Sequence, residues 1–76
     1  MEQELNAISK DLEVKLIDEE RVAIVAFNKP KKYNAITFEF FADIKKCFEM
    51  LGRPGSTVRA IVLKGNGKHF TAGLDL

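Results

Sequence analysis

The sequence predicts an α/β fold, and three observations predict it. Two extended segments come first, one alternating apolar with charged residues and one continuously apolar. A run with helical spacing follows, and a third apolar extended segment comes after that. A strand, a helix long enough to cross over and a second strand imply a parallel pair joined by a right-handed connection. The chain has 76 residues, room for one small domain. A chain of that size buries only about 60% of the surface its unfolded form exposes. Yet 46% of its residues are hydrophobic and six are Phe. That supply suits a segment of something larger, whose apolar surfaces meet a partner, better than a self-sufficient miniature domain.

Residues 1–11, MEQELNAISKD, are polar, with weak periodicity at Leu5, Ile8 and Leu12. They predict a frayed lead-in to a domain over 12–76. They are acidic and lack an apolar run, which fits neither a secretory signal nor an Arg-rich transit peptide. Leu12, Val14 and Leu16 alternate with Glu13 and Lys15, a half-buried strand. Asp18, Glu19, Glu20 and Arg21 break it. Residues 22–27, Val-Ala-Ile-Val-Ala-Phe, then suit a strand buried on both faces. The short break predicts an antiparallel hairpin.

Pro30 lacks the N–H of a central ladder and ends the second strand. A loop runs from Lys31 to Ala35. Thr37 can cap a helix starting at Phe38. Phe41, Ile44, Phe48 and Leu51 recur at helical spacing, with Phe40 and Cys47 widening the stripe. Gly52 stops the helix, and Pro54-Gly55 confirms the break. Residues 58–63 form the third strand, apolar enough to need cover on both faces. One helix cannot cover both faces of a three-stranded sheet, so the rest of a longer polypeptide, or another chain, is expected to pack there. Gly65-Asn66-Gly67 turns the chain into residues 70–76.

The net charge of +1 gives no bulk attraction for nucleic acid, although Lys29, Lys31 and Lys32 cluster locally. No apolar stretch approaches the roughly 20 residues that span a bilayer. Neither nucleic acid nor membrane is an expected partner. A lone cysteine, Cys47, makes no internal disulfide and favours a reducing compartment; a soluble, intracellular protein is expected.

Candidate chemistry is sparse. Gly65-Asn66-Gly67-Lys68 lacks the spacing of a phosphate loop and reads as a turn. Glu39 and Asp43 on the helix, and Glu19 and Glu20 in the turn, suit solvent better than the dry cleft that acid–base work needs. His69 and Cys47 stand on different elements with no third metal-type ligand spaced near them, so no metal site is expected. Cys47 belongs in the helix core.

Phe70-Thr71-Ala72-Gly73-Leu74-Asp75-Leu76 is the informative stretch. Small side chains leave backbone N–H groups open, and Gly73 permits unusual backbone angles. The residues alone fit either a tight turn or an oxyanion site that hydrogen-bonds a carbonyl oxygen as charge develops on it.

Two segments resemble the signatures of the crotonase superfamily. Phe27-Asn28-Lys29-Pro30-Lys31-Lys32-Tyr33-Asn34-Ala35-Ile36 is similar to its Leu-Asn-Arg-Pro…Asn-Ala motif, with Lys29 where Arg is frequent. The stretch from Gly65 to Leu76 is similar to its Gly-x-Gly…Phe-small-Ala-Gly…Asp-Leu motif. The resemblance covers residues 12–76 and implies the N-terminal part of a crotonase-like spiral of β-β-α units. It implies an acyl-CoA substrate, with coenzyme A as part of that substrate and no separate cofactor, and assembly as homotrimers or hexamers. It places the protein in fatty acid β-oxidation, in mitochondria or peroxisomes if the source is eukaryotic.

By the same resemblance, Ala72 supplies one oxyanion-hole N–H; a glycine beyond residue 76 supplies the second, and the catalytic carboxylates also lie beyond. Lys31, Lys32, Tyr33 and Ala35 contact coenzyme A. Lys68, Phe70, Ala72, Gly73, Leu74, Asp75 and Leu76 flank the thioester and acyl group. Thr71 and His69 in the second motif are nearest to the dienoyl-CoA isomerase branch, with enoyl-CoA hydratase next. The reading requires the Ala72 N–H to be free of main-chain acceptors and open to a cavity. Two rivals stay open: a non-catalytic interaction module that docks or self-assembles through spare apolar surface, and a member that binds RNA through Lys29, Lys31 and Lys32.

Overall fold

A computed structural model describes residues 1–74. The order is α1 (Glu2–Asn6), β1 (Leu12–Ile17), β2 (Val22–Phe27), a 3₁₀ turn (Pro30–Lys32), α2 (Phe38–Leu51) and β3 (Ala60–Gly65). The three strands form one sheet in the order β1-β2-β3. β1 and β2 are antiparallel, with Leu12 opposite Phe27 and Ile17 opposite Val22. β2 and β3 are parallel, with Val22 beside Ala60 and Phe27 beside Gly65. The hairpin, the crossover helix and the parallel pair are the ones the sequence predicts.

The hairpin turn is tight because Asp18, Glu19 and Glu20 all take left-handed backbone angles, with φ of 55°, 58° and 65°. Positive φ gives a short turn the twist that two strands share. The Arg21 guanidinium closes it on the Asp18 carboxylate at 3.0 Å. The four acidic residues considered for catalysis sit where solvent reaches them: Glu19, Glu20 and Glu39 are exposed and Asp43 half-buried.

Side chains alternate across a strand, and the register sorts the faces. Leu12 and Val14 of β1 and Ala23, Val25 and Phe27 of β2 point one way, into a core with Leu5, Phe40, Cys47 and Leu51. Phe27 anchors it: the Phe40 ring meets it edge-on at 5.3 Å, and the Phe70 ring stacks on it at 5.4 Å. Thr37 caps α2, its Oγ1 accepting from the Phe40 N–H at 3.1 Å. The buried stripe of α2 is Phe40, Cys47 and Leu51, with Ile44 packed against it. Phe41 and Phe48, placed in the stripe by spacing, lie on its exposed flank.

The lead-in is not frayed. Leu5 is fully buried, and α1 closes the outer edge of β1 with its own side chains. The Asn6 amide imitates a strand peptide: Nδ2 donates to the Val14 carbonyl at 2.8 Å, and Oδ1 accepts the Val14 N–H at 2.9 Å. Glu2 Oε2 takes the Leu16 N–H at 3.0 Å, and the Ser9 carbonyl takes that of Leu12 at 3.3 Å. Buried backbone groups need partners, and these short-range contacts supply them where a fourth strand would otherwise lie.

β3 departs from expectation in two ways. It begins at Ala60, because Arg59 N and Ala60 N both donate to the Arg21 carbonyl where the strands converge. It is also exposed rather than buried: Ile61 is 39% accessible, Val62 49% and Leu63 39%. Ile61 and Leu63 share the helix-facing side with Ala23 and Val25 by register, yet among the described residues no element caps them fully. Val62 lies beside Ile24 on the opposite face, which no described element covers. A shallow cleft of about 540 Å³ follows that face past Glu13, Lys15, Ile24, Ala26 and Lys64.

Candidate functional site

The site forms where β2 ends. Pro30 opens the 3₁₀ turn, and Tyr33 and Asn34 then take left-handed angles, φ 55° and 54°. Asn tolerates that region because its short side chain bonds locally. Here the side chain is fully buried and ties two loops together. Asn34 Oδ1 accepts the Lys29 N–H at 2.7 Å. Its Nδ2 donates to the carbonyls of Asn66 and His69, both at 2.9 Å. The loop after β3 is thereby folded onto the loop after β2.

Gly65 makes that fold-back sterically feasible. A Cβ there would lie 2.4 Å from the Phe70 carbonyl oxygen and 2.6 Å from that of His69. Both obstacles are main chain, which cannot swing aside. The chain then runs alongside residues 33–36, joined by a parallel bridge between Ile36 and Leu74.

Each amide of the small-residue stretch can be followed to its partner. The Ala72 N–H donates to the Tyr33 carbonyl at 2.9 Å. The Gly73 N–H donates to Thr71 Oγ1 at 3.0 Å, and that hydroxyl donates to the Asn34 carbonyl at 2.6 Å. The Ile36 N–H donates to the Gly73 carbonyl at 2.9 Å. A trans peptide holds its C=O and N–H in opposite directions. Fixing the Gly73 oxygen toward Ile36 therefore aims the Leu74 N–H the other way. Among the described residues it meets no acceptor. Gly73, at φ +90°, has nothing within 4 Å of where a Cβ would stand, and the Leu74 residue beside it is 65% exposed.

This corrects the assignment of Ala72 as the oxyanion donor. Its amide is consumed by a main-chain acceptor, and the requirement set by the sequence reading fails at that residue. Ala72 still lines the site: with Tyr33 and His69, whose rings meet edge-on at 5.4 Å, it walls a hollow of about 400 Å³. The amide without an acceptor among the described residues belongs to Leu74, which the sequence placed only among the substrate contacts.

The remaining candidates divide between places. Lys31 and Lys32 are exposed and line a separate cleft of about 580 Å³ with Lys10, Asn28, Lys29 and Thr37. Lys29 is engaged in structure, its Nζ donating to the Ala35 carbonyl at 3.1 Å and lying 5.0 Å from the centre of the Phe40 ring. Lys68 is exposed and is not among the residues lining either cleft. Phe70 is half exposed and serves the Phe27 stack. Asp75 and Leu76 lie outside the described residues.

The chain is 38% identical over 58 residues to the mitochondrial Delta(3,5)-Delta(2,4)-dienoyl-CoA isomerase of Mus musculus, and 40% identical over 58 residues to that of Homo sapiens. Each match covers 76% of this chain and 17% of the relative. The chain thus spans about a sixth of the length of these relatives. Among solved structures, an enoyl-CoA hydratase from Shewanella pealeana superposes with a TM-score of 0.84 at 25% identity, over 99% of this chain and 27% of that one. A structure from Rhodopseudomonas palustris described as an enoyl-CoA hydratase gives 0.73 at 37% identity, over 88% and 24%. These share the β-hairpin, helix and parallel strand expected of a crotonase-like domain. The model of the family described as enoyl-CoA hydratase/isomerase matches residues 18–76, from the hairpin turn through the whole of the paired-loop site, and to that family this chain belongs.

Proposed function

We propose that this chain carries one half of an oxyanion site in an enzyme acting on acyl-CoA thioesters, with the Leu74 N–H as donor. The observation that carries the reading is the fixed amide of Leu74, which has no acceptor among the described residues, beside two neighbouring amides that are already engaged. A thioester carbonyl held there would gain a hydrogen bond that strengthens as electron density shifts onto its oxygen. Such preorganised donors need no rearrangement at the moment of reaction.

The hollow at Tyr33, His69 and Ala72 contains no carboxylate among its described lining residues. Groups that move protons at the acyl carbons, and a second amide donor, would come from outside residues 1–76. Lys31 and Lys32, in their separate cleft, would meet phosphate oxygens of coenzyme A. The proposed reaction is a double-bond shift in a dienoyl thioester through a dienolate. The similarity to dienoyl-CoA isomerases of mouse and human supports it. Hydration of an enoyl thioester is the second reading, favoured by the Shewanella likeness. Relatives described as mitochondrial and as peroxisomal support either organelle as the site of action in a eukaryote. Among the described residues, no helix is long and apolar enough to cross a membrane.

The test uses the full-length polypeptide carrying these residues. Replacing Leu74 by the matching α-hydroxy acid turns its amide into an ester and deletes one N–H without touching a side chain. Turnover should fall on the order of 10²- to 10³-fold. An unchanged rate removes Leu74 from the mechanism. Assay with a 3,5-dienoyl-CoA and a 2-enoyl-CoA in parallel separates isomerase from hydratase.

A further inference from the structure

We infer that the Thr71 hydroxyl is a positioning residue for the Leu74 amide; this rests on the reading of that amide as the oxyanion donor. The relevant geometry is a pair of peptide planes hinged at Gly73. The plane after Gly73 contains the Leu74 N–H and is held on one side by the Ile36 N–H donating to the Gly73 oxygen. The plane before Gly73 contains its own N–H, held by Thr71 Oγ1 at 3.0 Å. Thr71 is anchored in turn, because its hydroxyl donates to the Asn34 carbonyl at 2.6 Å.

A hydroxyl has one donor and two acceptor sites, so both bonds are made at once with correct polarity. Asn34 is immobilised by three side-chain bonds of its own. A continuous path therefore runs from a buried amide, through one hydroxyl, to the hinge that aims the donor. Gly73 is the weak point of that hinge. At φ +90° with no neighbour near its Cβ position, it has no steric restraint, and glycine populates many backbone angles. Without the hydroxyl, one of the two planes loses its restraint and the hinge can rotate.

A second consequence concerns selectivity among amides. With the hydroxyl present, the Gly73 N–H is committed, and Leu74 presents the one donor of the turn without an acceptor among the described residues. Without it, two adjacent N–H groups compete for one oxygen in different directions.

Thr71→Val preserves shape and removes the hydroxyl; Thr71→Ser keeps the hydroxyl and removes a methyl. In the full-length polypeptide, Thr71→Val should lower kcat roughly ten- to a hundredfold with KM little changed, the expected result of a misaimed group. Thr71→Ser should recover most of the rate. Hydrogen exchange gives a readout independent of activity and of any variant. In the wild-type protein the Gly73 amide should be protected and the Leu74 amide fast. A Gly73 amide that exchanges as fast as Leu74, or a Thr71→Val enzyme with wild-type kcat, overturns the inference. If the ester at position 74 slows turnover while Thr71→Val does not, the role of Thr71 fails and the donor stands. If the ester itself is silent, the donor reading fails.

Discussion

Asn34 sits at φ 54° with both polar atoms of its side chain engaged and no solvent exposure, so its replacement separates shape from hydrogen bonding. Asn34→Asp keeps the volume but turns two donated bonds into a carboxylate oxygen facing the carbonyls of Asn66 and His69. Asn34→Ala leaves those carbonyls and the Lys29 N–H without partners. Each buried group so stranded costs about 1–3 kcal/mol. Both variants should lose about 3 kcal/mol or more of unfolding free energy in urea titrations, and Asn34→Asp should be no milder than Asn34→Ala. Sequence reading found the loop that contains Asn34 and missed its function. The signal available was that Asn suits a left-handed position. Its partners stand 32 and 35 residues away, and no local pattern encodes contacts at that separation. The displacement of the oxyanion donor from Ala72 to Leu74 has the same origin. Small residues mark where backbone amides are accessible, but which amide remains free depends on Tyr33 and Thr71.

At the scale of the element, α2 shows what periodicity can and cannot locate. Its limits and its cap at Thr37 were legible, because a polar oxygen before an apolar periodic run has few other uses. Its core-facing line was legible only in part: Phe40, Cys47 and Leu51 were placed in it, but so were the exposed Phe41 and Phe48. Phe38, Phe40, Phe41 and Phe48 make the helix apolar around much of its circumference, and the buried line turned out to follow Phe40, Cys47 and Leu51. Cys47 provides a test of that packing. Burial raises its thiol from 9.0 to about 11, since a thiolate is costly in an apolar core. Above pH 9.0 the unfolded chain releases this proton while the folded chain keeps it. Stability should therefore fall as pH rises through the window from 9.0 to about 11. Urea midpoints measured across that window should decline more steeply for the wild type than for Cys47→Ala, which has no thiol to titrate. Parallel slopes would place Cys47 in contact with water.

For the molecule as a whole, apolar residues outnumber the places to bury them. Ile61, Val62 and Leu63 of β3 remain accessible, together with Phe38, Phe41, Phe70 and Leu74. Sequence reading anticipated a surface in need of cover, from composition and from the arithmetic of one helix against two faces. Patches of this kind promote association. The 76-residue chain should therefore show a scattering mass that rises with concentration, and Val62→Lys should reduce that rise by charging the uncovered face; a mass fixed at one chain throughout would contradict this account. The two margins of the sheet differ in kind. Asn6, Glu2 and Ser9 plug the outward groups of β1, while β3 has no strand on its far side among the described residues. Residues 2–16 also precede β3 in the order of synthesis. A nascent chain would thus close its upstream flank before its downstream one exists, and any newly arriving strand would find a single place to add: growth of the sheet is vectorial, set by two side chains and one carbonyl near its beginning.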